Sequence, residues 1–123
     1  MEWKLEEGRP IYAQLVEQIQ MQIASGQYAP GGKLPSVREL AAEAAVNPNT
    51  MQKAFAELER GGLIITQRTN GRTVTEDQER IREVRRSLAE GHVREFFHRM
   101  RALGYPAEDI RNLVAEYSEG EET

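Results

Sequence analysis

The stretch LPSVRELAAEAAVNPNTMQKAFAELERGGLIITQRTNGRTV, residues 34 to 74, decides the fold of this chain. Its first helix begins with a capping box, in which the Ser36 hydroxyl can accept from the Glu39 backbone N–H while the Glu39 carboxylate accepts from the Ser36 N–H. A second helix begins at Asn47-Pro48, with an N-cap followed by proline at the first helical position. Gly61-Gly62 ends it. The sequence therefore predicts two short helices joined by a tight corner.

Two β-rich runs follow the second helix. Leu63 to Thr66 and Arg72 to Thr75 are predicted strands. Thr69-Asn70-Gly71 supplies the turn between them, because Asn-Gly tolerates positive φ. A hairpin after two capped helices is the order of a winged helix-turn-helix. We therefore predict a mainly α fold with a small β-hairpin wing (α+β).

Apolar residues continue at helical spacing on both sides of this stretch. Upstream, a stripe runs from Ile11 to Ile23 in four-residue steps, which predicts an amphipathic helix. Downstream of Glu76, apolar residues recur at three- and four-residue steps, and the pattern leaves open whether Gly91 divides this segment. We predict a winged helix-turn-helix over residues 1–75 and a short all-helical region over residues 76–123.

Composition and charge limit the class of protein. The chain has 123 residues, room for one small domain and an appendage, and no cysteine, which excludes disulfides and thiolate metal sites. No stretch approaches the roughly 20 apolar residues of a membrane span, so we expect a cytoplasmic protein with no membrane partner. The net charge of −4 is uneven, since residues 33–72 carry six basic and four acidic side chains and residues 76–123 carry eight and twelve. A weakly basic segment on an acidic chain is compatible with nucleic-acid binding.

The second helix of the stretch carries polar side chains away from its apolar stripe. Major-groove reading needs a rigid helix with hydrogen-bonding side chains on its exposed N-terminal face. Asn and Gln can pair with adenine edges, Thr can contact a thymine methyl or a phosphate, and Lys can reach guanine or phosphate. The sequence therefore predicts a reader of double-stranded DNA. Its predicted DNA-facing residues on this helix are Asn49, Thr50, Gln52 and Lys53.

Two further groups are predicted to contact the duplex. Ser36 lies at a helix N-terminus, where unpaired N–H groups suit phosphate, and Arg38 follows in the first turn. The hairpin tip can enter or border the adjacent minor groove. Its predicted contacts are Arg68, Asn70, Gly71 and Arg72.

Four motifs, P-I-Y-x-Q, L-P-S-x-R-E-L-A, V-N-P-N-T and G-G-L-I, together resemble the GntR family of bacterial transcription regulators. The match is strong over residues 8–75, and the short helical C-terminus is similar to the YtrA-type subfamily. The family's wing usually has glycine-basic-glycine, whereas this chain has Thr69-Asn70-Gly71. The resemblance implies DNA contacts, assisted by the wing, from Ser36, Arg38, Asn49, Thr50 and Lys53.

The resemblance also implies a homodimer, because YtrA-type members use their few C-terminal helices mainly for dimerisation. An apolar cluster in this region suits such an interface. A two-fold dimer would place its two recognition helices about 34–36 Å apart on a pseudo-palindromic operator. Repression of a neighbouring transporter operon is a further implication of the resemblance. The predicted interface residues are Val93, Phe96, Phe97 and Met100.

Two other classes of function compete with a DNA-binding regulator. A winged-helix protein-interaction module that does not read DNA would be favoured by an acidic or apolar face on the second helix, which here is polar and basic. An enzyme would need a nucleophile–base pair, a phosphate-cradling loop or a metal cluster, and none is present. His92 and His98 are six residues apart, on different sides of a helix, so no metal site is predicted. We expect no cofactor, and the sequence identifies no small-molecule effector.

Overall fold

A computed structural model describes residues 3–69 and 71–120. Asn70, predicted to contact DNA from the wing tip, lies outside the described residues. The elements in chain order are α1 Ile11–Ala24, α2 Val37–Ala44, α3 Pro48–Arg60, β1 Ile64–Gln67, β2 Gly71–Val74, α4 Gln78–Ala102 and α5 Ala107–Gly120. The predicted mainly α fold with a small β wing is confirmed.

Side-chain caps begin both helices of the predicted stretch. Ser36 Oγ accepts from the Glu39 N–H at 3.1 Å, and Glu39 Oε1 accepts from the Ser36 N–H at 3.1 Å. Asn47 Oδ1 accepts from the Asn49 N–H at 2.8 Å. Since each cap satisfies backbone groups that a helix end leaves unpaired, α2 and α3 begin where the sequence predicted.

The corner between α2 and α3 is made by a residue with left-handed backbone. Ala45 has φ 58° and ψ 46° and is the C-cap of α2. The Val46 N–H then donates to the Ala41 carbonyl at 3.0 Å, which closes the end of the helix. Ala41 and Ala54 are buried where α2 packs against α3. These small side chains allow the two helices to approach closely.

The first helix completes the core around α3. Both α1 and α2 pack against α3. Burying a large apolar side chain contributes about 1.5–3 kcal/mol, so this shared core fixes the orientation of α3. The largest side chains buried in it are Leu15, Ile19, Leu40, Met51, Phe55 and Leu58.

Gln14 fastens the N-terminal arm to the start of α1. Its buried side chain accepts from the Glu6 N–H at 2.6 Å and donates to the carbonyls of Glu6 at 2.9 Å and Arg9 at 3.1 Å. Trp3 Nε1 donates to Glu43 Oε1 of α2 at 3.2 Å. The arm is therefore held at two points, and the first turn of α1 is fixed between the arm and α3.

The wing contains more backbone pairing than the predicted hairpin. β1 and β2 are antiparallel with Ile64 opposite Val74, so each strand lies one residue from its predicted bounds. The segment before α2 also joins β2, since the Leu34 N–H donates to the Arg72 carbonyl at 2.9 Å and Lys33 forms a bridge with Thr73. The segment that leads into α2 therefore pairs with β2 as a third, short strand-like edge of the wing.

Two compact units make up the chain, one ending at Arg86 and the other beginning at Ser87. Within the first unit, Arg80 Nε donates to the Gly61 carbonyl at 2.8 Å and Arg85 Nε to the Ala24 carbonyl at 3.0 Å. These bonds tie the start of α4 to the ends of α3 and α1. The helix continues through Gly91, which answers the question that the sequence left open.

The second unit consists of the rest of α4 and of α5. Ile110 is fully buried, whereas many of the other apolar side chains in this unit are exposed. Phe96 and Phe97 meet edge to face, with ring centroids 6.0 Å apart. Across the part of the chain that the structure describes, no helix is both long and apolar enough to cross a membrane.

Candidate nucleic-acid interface

Helix α3 exposes the polar face that the sequence predicted. Asn49, Gln52 and Lys53 are exposed and Thr50 is half-buried. The opposite face of the helix is buried from Met51 to Leu58. Because the buried stripe fixes the rotation of α3 in the core, the four polar side chains form one outward surface at its N-terminal half. Their chemistry suits base edges and phosphates.

The N-terminus of α2 presents a second polar surface. Hydrogen bonds from the Ser36 backbone and hydroxyl lower the pKa of Glu39, so its carboxylate stays ionised and holds the cap closed. Arg38 is exposed in the first turn, and no described residue forms an ion pair with it. The arrangement combines a helix N-terminus with a solvated guanidinium, both of which attract phosphate, and the ionised Glu39 carboxylate in the same turn opposes part of that attraction.

Two predicted arginines of the wing differ in their surroundings. Arg68 is exposed in the turn between β1 and β2. Arg72 is anchored on α3, because its Nε lies 2.6 Å from Glu59 Oε1 and its guanidinium lies 5.3 Å from the centre of the Phe55 ring. The Arg72 hydrogen bond lowers the pKa of Glu59. The guanidinium of Arg72 therefore attaches the wing to α3.

Gly71 and Lys33 lie together at the start of β2. Gly71 has φ +70°, and a methyl group placed on it would lie 4.0 Å from Lys33 Cε. The Lys33 charge also contributes to the lowered pKa of Glu39 at the start of α2. Lys33 thus lies between the wing and the α2 N-terminus. Sequence reasoning counted its charge but did not select it; the signal was its position directly before the L-P-S motif.

A contact between α1 and α3 was also missed from sequence. The Lys53 ammonium lies 3.9 Å from the centre of the Tyr12 ring, a cation–π geometry. Tyr12 precedes the buried Leu15 by three residues, so its ring lies at the α3 side of α1. That spacing, together with the P-I-Y-x-Q motif, was the available signal.

The described residues also contain a cleft, but no group of metal ligands. Over residues 3–69 and 71–120, no three His, Cys, Asp or Glu side chains are grouped so that they could hold a metal ion. A cleft of about 290 Å³ lies between α1, the end of α3 and the start of α4. Arg60 and Arg80 line it with apolar side chains such as Val16, Leu58 and Val84.

Comparison with known proteins identifies relatives, one of them over nearly the whole chain. Residues 11–74 match the family of bacterial regulatory proteins named gntR. The chain is 34% identical over 120 residues to the HTH-type transcriptional regulator YhcF of Bacillus subtilis (strain 168), covering 98% of this chain and 99% of YhcF. It is 48% identical over 68 residues to the HTH-type transcriptional repressor YtrA of the same strain, covering 55% of this chain and 52% of YtrA.

Solved structures share the fold. A GntR family transcriptional regulator from Listeria monocytogenes has 40% identity and a TM-score of 0.81, covering 91% of this chain and 98% of that chain. The DNA-binding domain of AraR, solved in complex with operator ORX1, has 32% identity and a TM-score of 0.53, covering 61% of this chain and 92% of that chain. The resemblance drawn from the four motifs is confirmed. This chain belongs to the gntR family of bacterial regulatory proteins, as a helix-turn-helix transcriptional regulator and not an enzyme.

Proposed function

We propose that this regulator reads a specific sequence in double-stranded DNA and acts as a homodimer on a pseudo-palindromic operator. The observation that carries the proposal is the outward face of α3, polar and basic over a continuous buried stripe. A helix exposed in this way can enter the major groove with its N-terminal side chains toward the bases. The AraR domain, whose structure contains operator DNA, supports the same use of the shared fold.

Each predicted contact residue has a proposed role. Residues Asn49, Thr50, Gln52 and Lys53 read base edges or neighbouring phosphates, and the α2 N-terminus at Ser36 and Arg38 binds the backbone. The wing borders the minor groove through Arg68, Asn70 and Gly71, while Arg72 holds the wing in place through Glu59. We add Lys33 to this surface because it lies between the wing and α2.

The second unit is proposed to form the dimer. Val93 is 55% exposed and Phe96 is 41% exposed, while Phe97 and Met100 are half-buried. Apolar side chains left in water at neighbouring helix positions favour association. We therefore assign residues 1–75 to DNA binding and residues 76–123 to the dimerisation region, with the subunit contact itself in the second unit, from Ser87 onward. Two recognition helices would then read half-sites about one DNA turn apart.

Repression, and control of a transporter operon, are the regulatory roles proposed for the dimer. The related YtrA of Bacillus subtilis is named a repressor, which supports the first of these. A dimer bound across a promoter would block access of polymerase by occupying the site.

Enrichment of bound sequences from a random duplex pool tests the proposal most directly. We expect an inverted repeat whose half-sites are centred about 10 base pairs apart. The variant Thr50→Ala with Lys53→Ala should lose about 1–3 kcal/mol of operator binding for each base contact removed. Arg60→Ala is the matched control, because Arg60 is an exposed cation at the other end of the same helix. Recovery of no motif at low ionic strength would rule out sequence-specific reading and favour a protein-interaction module.

A further inference from the structure

A tyrosine outside the helix-turn-helix holds a cation of the proposed recognition surface. The Lys53 ammonium lies over the Tyr12 ring, 3.9 Å from its centre. We propose that Tyr12 is a positioning residue for DNA reading, whose ring restrains the Lys53 side chain so that its charge reaches one place on the operator. The inference rests on the proposed function, in which Lys53 faces DNA.

The part of α1 that carries Tyr12 is held in place without DNA. Tyr12 lies in the first turn of α1, which packs along α3. Leu15, one turn further on, is completely buried. The neighbouring Gln14 is hydrogen-bonded to the arm at Glu6 and Arg9. A group whose surroundings are fixed on two sides can orient another without itself rearranging.

Restraint changes what a lysine can recognise. Its long flexible stem lets a lysine bind phosphates as a mobile point charge at many positions. A lysine held against a ring visits fewer positions, so its contact with the correct site costs less conformational entropy, while contacts elsewhere gain nothing. Tyr12 should therefore increase the ratio of specific to non-specific affinity.

An aromatic ring is also well suited to restrain a cation that contacts phosphate. Glu57 pairs with Arg60 and Glu59 pairs with Arg72, so two other cations at α3 are held by carboxylates. Among the described residues, no carboxylate forms an ion pair with Lys53, whose ammonium instead lies against the neutral ring. A ring restrains the ammonium without adding a negative charge that would repel DNA.

A double-mutant cycle between Tyr12 and Lys53 tests the inference. The full-length wild type and variants are titrated against the operator enriched by the wild type and against a scrambled duplex of equal length, at one salt concentration. Tyr12→Leu should weaken operator binding about two- to fivefold and leave scrambled-duplex binding nearly unchanged. Tyr12→Phe keeps the ring and should bind like the wild type. In the Lys53→Ala background, Tyr12→Leu should cause no further loss.

Arg38 provides the matched control cycle, because it lies on α2 and not on α3. Tyr12→Leu and Arg38→Ala should act additively. Equal losses from Tyr12→Leu with and without Lys53 would overturn the positioning role, whatever the melting temperature of the variant. If the wild type enriches a motif but shows no coupling, the positioning role alone fails. If it enriches none, both proposals fail.

Discussion

Glu59 of α3 and Arg72 of β2 form an ion pair that fastens the wing to the proposed recognition helix. The Arg72 Nε and the Glu59 Oε1 are 2.6 Å apart, and the two side chains are 27% and 32% exposed. The Phe55 ring, buried in α3, lies beneath the guanidinium. A pair that is mostly shielded from water keeps more of its attraction than one on the open surface. The wing therefore depends on a contact between residues thirteen positions apart.

Loss of this pair should loosen the wing in a pH-dependent way. The folded-state pKa of Glu59 is lowered, chiefly by the Arg72 hydrogen bond, so the pair stabilises the fold above the ordinary carboxyl pKa and is lost as pH falls through the lowered value. Glu59→Gln should cost about 1 kcal/mol of unfolding free energy at neutral pH. The difference from the wild type should shrink in acid. Chemical denaturation at several pH values measures both.

Glu57→Gln is the control for that prediction. Glu57 pairs with Arg60 on the same helix, but the side chains are 43% and 70% exposed. Exposed i,i+3 pairs contribute little, about 0.3–0.5 kcal/mol or less. Equal effects of the two substitutions, or a Glu59→Gln effect that does not change with pH, would contradict the role given to Arg72.

Two substitutions should separate the structural role of Ser36 as a helix cap from its proposed role in DNA binding. Ser36→Ala removes the acceptor for the Glu39 N–H and should cost about 1 kcal/mol of stability. Ser36→Asp keeps a capping oxygen but places a negative charge where phosphate is proposed to bind. We expect that variant to melt near the wild type and to bind the operator less tightly. Operator binding equal to that of the wild type would remove Ser36 from the interface.

Lys33 should act as a phosphate contact and not as a base reader. Each phosphate contact contributes about 0.9 to the slope of log affinity against log salt concentration. Lys33→Gln should therefore make that slope less steep by about 1 and weaken binding to all duplexes alike, with the enriched motif unchanged. Arg99→Gln, which removes a cation paired with Glu95 in the second unit, should leave the slope as it is. A changed motif for Lys33→Gln would point to base reading instead.

Exposed phenylalanine in the second unit should control the oligomeric state. Phe96 is 41% exposed, so a large part of its ring is available to a second subunit, while Phe96→Ser also removes its edge-to-face contact with Phe97. If the side chain is buried between two subunits, its loss should weaken the dimer at least about tenfold, as measured by analytical ultracentrifugation. Ile110→Ser is the contrasting control, because Ile110 is fully buried and its substitution should lower the melting temperature. An unchanged dimer in Phe96→Ser would exclude this surface.

The elements of the fold were predictable because their signals are local. The cap at Ser36 needs only Glu39 three residues away, and the cap at Asn47 needs only the backbone N–H of Asn49. The apolar stripe of α3 likewise repeats within one helix. Patterns of this range can be found in the sequence before any tertiary structure is known.

The contacts around the candidate site were harder to predict because they join distant parts of the chain. Tyr12 meets Lys53 only because α1 packs along α3. The pairing of Arg72 with Glu59 joins β2 to α3 across thirteen positions, and no local pattern in the sequence indicates it. Gly91 carries a local signal for a break, yet α4 continues through it, since one glycine costs a helix only about 1 kcal/mol.

Removal of the Ala45 side chain should make the protein more stable to heat. The left-handed backbone of Ala45 costs an L-residue about 1–2 kcal/mol, because Cβ approaches the following carbonyl oxygen. Glycine adopts the same backbone without this clash, but it loses about 0.5–1 kcal/mol of folding free energy because the unfolded chain has more freedom. Ala45→Gly should therefore raise the unfolding free energy by about 0.5 kcal/mol, visible as a higher melting temperature. A lower melting temperature would contradict this. The corner between α2 and α3 is therefore strained by the methyl side chain of Ala45.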